Sequence, residues 1–316
     1  MPCKGYDIEL KRGIDSVMAQ KYTNYDFITI VASKQDEALG AINESGAKYM
    51  LSNNQKYTKG SGKVRSLTSA FVRFMDNYDI FVVVDSDTYC QPHWLSSLIM
   101  PLFDKKIGIS TTFPIFKPTK NAGFWAYVKQ VWGAVGSGLM QNSKTSFAWG
   151  GSMAFRTNIL DKKALQRFSR SLSDDIALTQ IIKEKGLRVH YIPDQIVSVP
   201  SNDNFTKFIE WSNRQTALMG LGNRKILNYG IIFYSSSLFL LISSILLSIF
   251  LNPLYLLFLI PFILGLFKTF KRIQSGGIRI CMAYLIINVI YLYNLLSAKR
   301  MRTITWRGIT YNLMQD

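Results

Sequence analysis

Residues 81–95 read FVVVDSDTYCQPHWL and place two acids directly after an apolar run. Residues 80–84 are apolar without alternation, which is typical of a strand that is covered on both faces of a parallel sheet. Asp85 and Asp87 follow at once, so the sequence predicts that both lie at the carboxyl edge of that sheet. Ligands of open α/β sheets bind beyond this edge, and the two acids are therefore candidate ligand-binding residues.

Strand-like and helix-like segments alternate around this stretch. Residues 27–32 (FITIVA), 48–51 and 107–112 predict strands, and residues 62–77 predict a helix with apolar residues on one side. Such alternation predicts an α/β domain in which helices cover both faces of a mostly parallel sheet.

Two carboxylates one residue apart can bind one hard divalent cation. Mg²⁺ and Mn²⁺ prefer oxygen ligands, and such a cation commonly shares its coordination with the phosphates of a substrate. Bound there, it would neutralise a diphosphate leaving group. Acids at a strand end also form turns, so a turn without a ligand is the alternative for Asp85 and Asp87.

A second acidic pair, Asp174 and Asp175, stands before a helix-like segment at residues 176–185 that ends at Gly186. Ser173 or Asp174 can cap this helix, and acids near a helix N-terminus are favoured by the helix dipole. One acid is enough to stabilise the start of the helix in this way. The other is a candidate general base, which has to reach the proton that it removes from a hydroxyl group.

Between the two acidic pairs lies FAWGGSMAFR at residues 147–156. Gly150 and Gly151 lack side chains and can let a ligand approach the backbone closely, and Trp149 can offer its face to a sugar ring. A strained turn before a strand explains the same residues equally well, so both interpretations stay open here.

The chain is strongly basic: 37 Lys and Arg stand against 20 Asp and Glu, for a formal net charge of +17. This balance predicts an anionic partner, such as a membrane surface or a phosphorylated substrate. The basic residues cluster near apolar runs and form no reading helix or aromatic RNA platform, which argues against nucleic-acid binding. Three cysteines without a CxxC pair, and two histidines, argue against a zinc site or a disulfide framework.

The last third of the chain is far more apolar than the rest. Residues 230–250 carry no charge and are long enough to span a bilayer, and residues 254–267 form a shorter run with Pro261 inside. Basic residues before the first run and after the second predict a hairpin whose two ends are cytoplasmic. A third run, residues 280–296, has basic residues on both sides and is predicted to lie in the interface or to insert partly.

This pattern predicts two regions. Residues 1–225 form a globular domain, and residues 226–316 form a membrane region with two or three hydrophobic helices and a C-terminal tail. The sequence therefore predicts a multi-pass membrane protein whose globular domain is cytoplasmic. A buried core helix is the alternative for each apolar run.

The order of the motifs resembles the family 2 inverting glycosyltransferases, and within them the ceramide glucosyltransferase-like branch. The resemblance implies a GT-A fold, which is Rossmann-like, with a nucleotide-sugar donor and a divalent metal ion, Mg²⁺ or Mn²⁺. Seven pieces over nearly the whole chain carry it: PCKGYD at 2–7, YTNYDF at 22–27, GKV at 62–64 with Leu67, DSD at 85–87 with Pro92 and Leu95, GGS at 150–152, DD at 174–175 with Leu178 and Gly186, and TWRG at 305–308 with Tyr311.

On the donor side, the resemblance implies that Asp85 contacts the nucleotide of a UDP-sugar and that Asp87 holds the metal ion. It also implies that Lys63, Asp36 and Arg214 bind the donor, with the arginine near the diphosphate.

On the acceptor side, the resemblance implies that Asp175 is the catalytic base that deprotonates the acceptor hydroxyl. Asp174, Trp149, Gly150 and Gly151 are implied to lie around the acceptor. A single displacement at the anomeric carbon would invert its configuration.

Three departures from the family pattern accompany the resemblance. Trp211 and Gln215 replace the first and last residues of the family's Q/R-x-x-R-W motif, so only Arg214 matches. Ser33 replaces the family's first aspartate, with Asp36 further along the loop. The chain also begins at what should be the end of the first strand, so that strand is expected to be truncated.

The function expected from these features is transfer of a hexose from a nucleotide sugar to the hydroxyl group of a ceramide-like or other long-chain lipid, at the cytoplasmic face of a membrane. One alternative is a polyisoprenyl-phosphate sugar transferase or a polysaccharide synthase. Another, of a different class, is a non-catalytic membrane protein that retains the fold.

Overall fold

The structure, a computed structural model, describes residues 1–53, 59–222, 224–306 and 308–313. The chain divides into two compact units. The first comprises Met1–Ile115 and Ser137–Pro200, and the second comprises Phe116–Gly136 and Ser201–Asp316. The predicted domain boundary after residue 225 stays a prediction.

The described residues alternate between strands and helices, and the three longest apolar helices come late in the chain. The strands are β1 (Ile28–Val31), β2 (Lys48–Leu51), β3 (Ile80–Val84), β4 (Ile107–Thr111), β5 (Pro114–Pro118), β6 (Ser152–Arg156), β7 (Arg188–Tyr191), β8 (Val197–Ser201), β9 (Thr303–Trp306) and β10 (Ile309–Asn312). The α-helices are α1 (Leu10–Met18), α2 (Ala38–Glu44), α3 (Gly62–Phe74), α4 (Trp94–Ile99), α5 (Phe124–Met140), α6 (Lys162–Ser169), α7 (Asp174–Glu184), α8 (Phe205–Gly222), α9 (Arg224–Phe250), α10 (Ile260–Ile273) and α11 (Ile278–Arg300). Short 3₁₀ helices lie at Met100–Phe103, Thr157–Ile159 and Pro253–Leu259.

The first unit is built on a four-stranded sheet in the order β3-β6-β4-β7 and a parallel pair, β1-β2. Strands β3, β4 and β7 run in one direction, whereas β6 runs antiparallel to both of its neighbours. The α/β class with a mostly parallel sheet is therefore confirmed, with one reversed strand that the sequence pattern did not predict. An apolar run such as β6 does not by itself encode strand direction.

Helices cover both faces of this sheet, as predicted. Along β3 and β6, side chains alternate between two buried clusters because successive residues of a strand point to opposite faces. Val83 and Phe155 face a cluster completed by α3, α6 and α7. Val84 and Ala154 face a second cluster completed by α1, α2 and α4.

Several element boundaries follow from local chemistry. Strand β3 coincides with the apolar run at 80–84. Helix α3 begins at Gly62 because Ser61 takes the N-cap position and its Oγ accepts a hydrogen bond from the Val64 amide at 3.3 Å. Helix α7 begins at Asp174, two residues earlier than the sequence pattern predicts, so both acids of the second pair lie in its first turn.

The first residues of the chain extend the parallel pairing next to β1. Pro2 forms a parallel bridge to Ile30, the Cys3 amide donates to the Ile30 carbonyl at 2.8 Å, and Met1 is buried. These contacts satisfy backbone groups on the free side of β1.

Among its described residues, the regular structure of the second unit is helical apart from the β9-β10 hairpin and the ends of β5 and β8, two strands that begin in the first unit. Within the described residues, three helices are long and apolar enough to cross a membrane: Arg224–Phe250, Pro253–Ile273 and Ile278–Arg300. The first two are almost wholly exposed, whereas 39% of the most apolar window of the third is buried. The third helix is therefore the one that packs most against protein.

Candidate active site

The first acidic pair lies in the turn that follows β3. The Thr88 amide donates to the Asp85 carbonyl at 3.2 Å, which closes a turn that includes Asp87. The Asp85 side chain is 33% exposed, and Asp87 is half-buried. The turn therefore holds two carboxylates at the carboxyl edge of the sheet, and both residues are partly open to solvent.

The antiparallel direction of β6 brings the glycine pair to this turn. Val84 pairs with Ser152 across the ladder, so the residues before Ser152 lie beside the residues after Val84. The Asp85 amide accordingly donates to the Gly151 carbonyl at 3.3 Å. The reversed strand thus joins two motifs that the sequence analysis treated separately.

Lys63, in the first turn of α3, is the centre of the site. Its Nζ lies 2.7 Å from Asp85 Oδ1 and 2.9 Å from Asp174 Oδ2, and it donates to the Gly150 carbonyl at 3.1 Å. The lysine and Asp174 side chains are only 10% and 8% exposed. One buried ammonium group therefore connects the turn after β3, the glycine pair and the start of α7.

Asp175, the predicted base, is held differently from Asp174. Its Oδ2 accepts from the Gly150 amide at 3.3 Å, and its Oδ1 accepts from the Ile176 amide at 2.8 Å and from the Ser173 hydroxyl. Ser173 occupies the N-cap position of α7, but its hydroxyl bonds this carboxylate and makes no cap hydrogen bond. Asp175 therefore contacts backbone and hydroxyl donors, whereas Asp174 contacts the lysine.

The two glycines leave room for side chains of the protein itself. A Cβ on Gly150 would lie 2.6 Å from Asp174 Oδ2 and 2.8 Å from Lys63 Nζ, and a Cβ on Gly151 would lie 2.2 Å from the Trp149 ring. Neither glycine is among the described residues with positive φ. Close approach of Lys63, Asp174 and Trp149 is therefore a sufficient reason for glycine at both positions.

Burial and mutual repulsion alter the acidity of these groups. Burial raises the pKa of Asp85, the Lys63 ammonium lowers it, and the charges of Asp87 and Asp174 raise it again, to about 6 in total. Burial and the Asp174 charge raise the pKa of Asp175 above the ordinary aspartate value, against the opposing effect of Lys63 and the Ser173 bond.

The same carboxylates act on the lysine. Burial lowers the pKa of Lys63, but the attraction of Asp174, Asp85 and Asp175 outweighs it and raises that pKa well above the ordinary lysine value. Lys63 is therefore charged throughout the physiological pH range.

A buried hydroxyl network fixes the segment that carries Trp149. Ser152 Oγ accepts from Trp94 Nε1 and from Thr112 Oγ1, both at 2.7 Å. The Thr111 hydroxyl donates to the Ser152 carbonyl at 2.7 Å and accepts from the Trp149 amide at 3.0 Å. Sequence reasoning missed Thr111, and it named Ser152 only as part of the GGS motif and Ser173 only as a possible helix cap.

The other two residues predicted to bind the donor, Asp36 and Arg214, make contacts of their own, and their role stays a prediction. The Asp36 carboxylate accepts from the Gly5 amide at 2.7 Å and from the Ala38 amide at 3.1 Å, so it joins the N-terminal segment to the start of α2. Arg214 belongs to the second unit, where its guanidinium lies 5.9 Å from the centre of the Trp306 ring. Arg307, in the C-terminal motif, lies outside the described residues.

The acids of the turn fit a cation that also binds phosphate. Among the described residues, no group of three or more His, Cys, Asp or Glu could hold a metal ion by itself. A Mg²⁺ ion that serves a nucleotide usually takes one or two carboxylates and completes its coordination with phosphate oxygens and water. Asp85 and Asp87 offer that donor set, and the charge of Asp87 already disfavours ionisation of Asp85.

The solved structures that resemble this chain are distant from it in both sequence and structure. Glucosyl-3-phosphoglycerate synthase from Mycobacterium tuberculosis in complex with phosphoglyceric acid is 15% identical, with a TM-score of 0.46, over 70% of this chain and 77% of that chain. The same enzyme with Mn²⁺, UDP and glucosyl-3-phosphoglycerate is 16% identical, with a TM-score of 0.45 over the same shares. Structures this distant do not indicate which ligands this chain binds.

Family membership rests on sequence. None of the curated protein sequences matches the chain closely enough to count as a relative. The model of glycosyl transferase family 21 matches residues 1–316, whereas the motifs had suggested family 2. The predicted class of enzyme is confirmed, and the ceramide glucosyltransferase-like branch stays a prediction. The chain belongs to glycosyl transferase family 21 and is a glycosyltransferase.

Proposed function

We propose that this enzyme is a membrane-bound, inverting glycosyltransferase of the GT-A type. It moves a hexose from a UDP-sugar to a hydroxyl group of a ceramide-like or other long-chain lipid at the cytoplasmic face. The observation that carries the proposal is the position of Lys63, whose Nζ lies within 3 Å of both Asp85 and Asp174. An acid of the predicted donor side and an acid of the predicted acceptor side therefore contact the same nitrogen atom.

The donor side is the turn after β3. In the proposal, Asp85 contacts the nucleotide and Asp87 binds a divalent cation, Mg²⁺ or Mn²⁺. The cation, when bound, neutralises the negative charge on the diphosphate as it leaves. The surplus of carboxylates supports this assignment, because Asp85, Asp87, Asp174 and Asp175 stand against the single charge of Lys63.

The acceptor side is the start of α7, where Asp175 acts as general base. It takes the proton of the acceptor hydroxyl as that oxygen bonds to the anomeric carbon and the bond from that carbon to the diphosphate breaks. The raised pKa of Asp175 makes its carboxylate a better proton acceptor than an exposed aspartate. Asp174 is less suited to this role because Lys63 compensates its charge.

The membrane region supports a lipid acceptor. Arg224–Phe250 and Pro253–Ile273 are long enough to cross a bilayer. Arg224 and Lys225 are the first two residues of the first of these helices, and Lys271 and Arg272 lie near the end of the second. Basic residues at both outer ends favour a hairpin with cytoplasmic ends, and this arrangement makes the protein multi-pass.

Replacement of Asp175 by Asn tests the proposal. Membranes that contain the variant are incubated with labelled UDP-hexoses and a lipid extract, and the glycolipid products are identified. We expect transfer to a lipid alcohol to fall at least about 100-fold, as is typical when a general base is lost, with binding of Mn²⁺-UDP retained.

The matched control is Asp161→Asn. Asp161 is also an acid at a helix N-terminus, where it accepts from the Ala164 amide at 2.9 Å, and asparagine caps a helix equally well. This variant should keep full activity. Near-full activity of Asp175→Asn would contradict the proposal and favour a polyisoprenyl phosphate as acceptor, because a phosphate needs no strong base.

A further inference from the structure

Helix α1 packs on the turn that carries the first acidic pair. Gly13 lies inside α1 and is buried. A Cβ added to Gly13 would lie 2.7 Å from the carbonyl oxygen of Ser86 and 3.3 Å from that of Thr88. Ser86 and Thr88 are the residues on either side of Asp87. The backbone of α1 therefore lies against the turn around the predicted metal ligand.

This close approach explains why residue 13 is glycine. Glycine is less favourable than alanine in the interior of a helix, so its presence there needs a reason. Gly13 is not among the described residues with positive φ, so its backbone conformation does not supply that reason. The Ser86 carbonyl does, because side-chain Cβ atoms essentially never lie closer than 3.0 Å to such an atom, and a backbone oxygen cannot rotate away.

The hydroxyl group of Ser16 makes the second contact between α1 and this segment. Ser16 is buried, and its Oγ accepts a hydrogen bond from the Cys90 amide at 3.1 Å. The same hydroxyl donates to the Gly13 carbonyl at 2.7 Å. Cys90 lies three residues beyond Asp87, so this contact continues that of Gly13 along the same segment.

Gln20, just after α1, makes the third contact. Its Nε2 donates to the Gln91 carbonyl at 2.8 Å, and its Oε1 accepts from the Leu95 amide at 2.9 Å. All three contacts reach backbone atoms of residues 86–95. They therefore fix the path of this segment whichever side chains it carries.

Other elements hold the first residue of the turn. The Asp85 amide donates to the Gly151 carbonyl at 3.3 Å, and the Asp85 carboxylate lies 2.7 Å from Lys63 Nζ. Asp87 is two residues further along the chain, where the flanking carbonyls lie against Gly13. The turn is thus held from two sides, and α1 contacts the part that includes Asp87.

Helix α1 is the more firmly held partner in this contact. Its side chains Leu10, Ile14 and Val17 are at most 4% exposed and belong to the second buried cluster. Movement of α1 away from the turn would withdraw these apolar side chains from that cluster and lose their burial. Asp85 and Asp87, in contrast, are partly open to solvent. A larger residue at position 13 would therefore displace the turn rather than the helix.

We propose that α1 positions the metal-binding turn and that Gly13 is the positioning residue that sets the place of the Asp87 carboxylate. Mg²⁺ accepts little deviation from octahedral geometry, so a displaced carboxylate binds it more weakly. Groups that orient a metal ligand typically contribute about 10- to 100-fold to metal affinity. The inference rests on the assignment of Asp87 to a divalent cation in the proposed function.

Gly13→Ala in the full-length enzyme tests the proposal. Binding of Mn²⁺ in the presence of UDP is measured from the EPR signal of free Mn²⁺, and chemical unfolding in detergent shows whether the variant is folded. We expect the affinity for Mn²⁺ to fall roughly 10- to 100-fold. A folded Gly13→Ala enzyme with the Mn²⁺ affinity of the parent would overturn the proposal.

Gly108→Ala is the matched control. A Cβ on Gly108, in β4, would lie 2.5 Å from Ile182 Cδ1 and 3.0 Å from Leu187 Cβ, so alanine overpacks the same unit at a place away from α1. This variant should lose stability and keep the Mn²⁺ affinity of the parent. An equal loss of affinity in the control would show that overpacking anywhere in the unit weakens the site, and the role of Gly13 would be wrong.

Ser16→Ala decides the matter if Gly13→Ala does not fold. It removes the hydrogen bond to the Cys90 amide and adds no atom, so it tests the same contact surface without a clash. A lower Mn²⁺ affinity than that of the parent supports the proposal. An unchanged affinity overturns it.

Asp87→Asn tests the metal assignment separately. We expect this variant to lose most of its affinity for Mn²⁺ in the presence of UDP. If it binds Mn²⁺ as the parent does, the metal assignment in the proposed function is wrong, and the role of Gly13 falls with it. If Asp87→Asn loses the metal and Gly13→Ala keeps it, only the role of Gly13 is wrong.

Discussion

Each unit of the enzyme contains a buried lysine, and the two have different surroundings. Lys63 lies 2.7 Å from Asp85 and 2.9 Å from Asp174. Lys129 lies 2.9 Å from Asp203. The two lysine side chains are 10% and 9% exposed, so burial is nearly the same at both positions.

The difference is the balance of charge around each ammonium group. Lys129 has one carboxylate partner and two aromatic rings, with its Nζ 4.4 Å from the centre of Trp211 and 5.2 Å from that of Phe116. This set is neutral overall and holds elements of the second unit together. The set around Lys63 has more carboxylates than cations, and a partly open site with such a surplus favours a cationic ligand.

Replacement of each lysine by methionine should show the largest effects. Removal of one partner from a buried ion pair costs about 3–5 kcal/mol, so both variants should lose stability to a similar extent. Only Lys63→Met also removes the positive charge that lies between Asp85 and Asp174 in the proposed active site. We therefore expect the rate of sugar transfer by this variant to fall at least about 100-fold. Lys129→Met should remain within a few-fold of the parent enzyme.

Stability is measured by chemical unfolding in detergent, and activity by glycolipid formation below the unfolding transition. Equal losses of transfer in the two variants would show that Lys63 acts only through stability. That result would contradict the contrast between the two lysines.

The comparison also shows what sequence can and cannot predict. Strand β3 and the start of α3 follow from local patterns: an uninterrupted apolar run and a Ser-Gly-Lys helix start. The Ser-Asp-Asp segment also indicated a helix close to the second acidic pair, although α7 begins two residues earlier than predicted and Ser173 makes no cap hydrogen bond. Each pattern spans a few residues, and the physics that produces it acts over the same range.

The Lys63 cluster could not be predicted in this way. Lys63 and Gly150 are 87 positions apart, and they meet because β6 runs antiparallel to β3. The same long-range packing also explains why residues 150 and 151 are glycine. Sequence alone suggested room for a ligand or a strained turn, whereas the structure fills the space beside Gly150 with Lys63 and Asp174.

Gly150→Ala tests this conclusion, and its effect on stability and on transfer should be smaller than that of Lys63→Met. The new methyl group would lie less than 3 Å from Asp174 Oδ2 and Lys63 Nζ, so the ion pair has to move. We expect a loss of about 1–3 kcal/mol in stability, as for overpacking elsewhere, and transfer at least about tenfold slower.

Gly40→Ala is the matched control. Gly40 lies inside α2, and an added Cβ meets nothing within 4 Å, so alanine should be neutral or stabilise the enzyme by about 0.5–1 kcal/mol. Isothermal titration of Mn²⁺-UDP and chemical unfolding compare the two variants. A fully active Gly150→Ala enzyme would show that the site tolerates displacement of Lys63 and Asp174.

The smallest expected effect concerns the pH dependence of transfer. The base must be deprotonated, so activity falls as pH decreases through the pKa of Asp175, which burial and Asp174 raise. The Ser173 hydroxyl bond stabilises the carboxylate and lowers that pKa. Ser173→Ala should therefore move the acidic limb of kcat/KM to higher pH. At neutral pH the rate should change by well under about tenfold, because one hydrogen bond contributes about 1 kcal/mol.

Ser169→Ala provides the comparison for this shift. The Ser169 hydroxyl donates to the Gln166 carbonyl at 2.8 Å on an exposed surface and is not among the groups that alter the pKa of Asp175. Its pH profile should match that of the parent enzyme. If the acidic limb of Ser173→Ala stayed in place or moved to lower pH, Asp175 would not be the group whose deprotonation limits transfer. The surplus of negative charge around Lys63 would then serve donor binding alone.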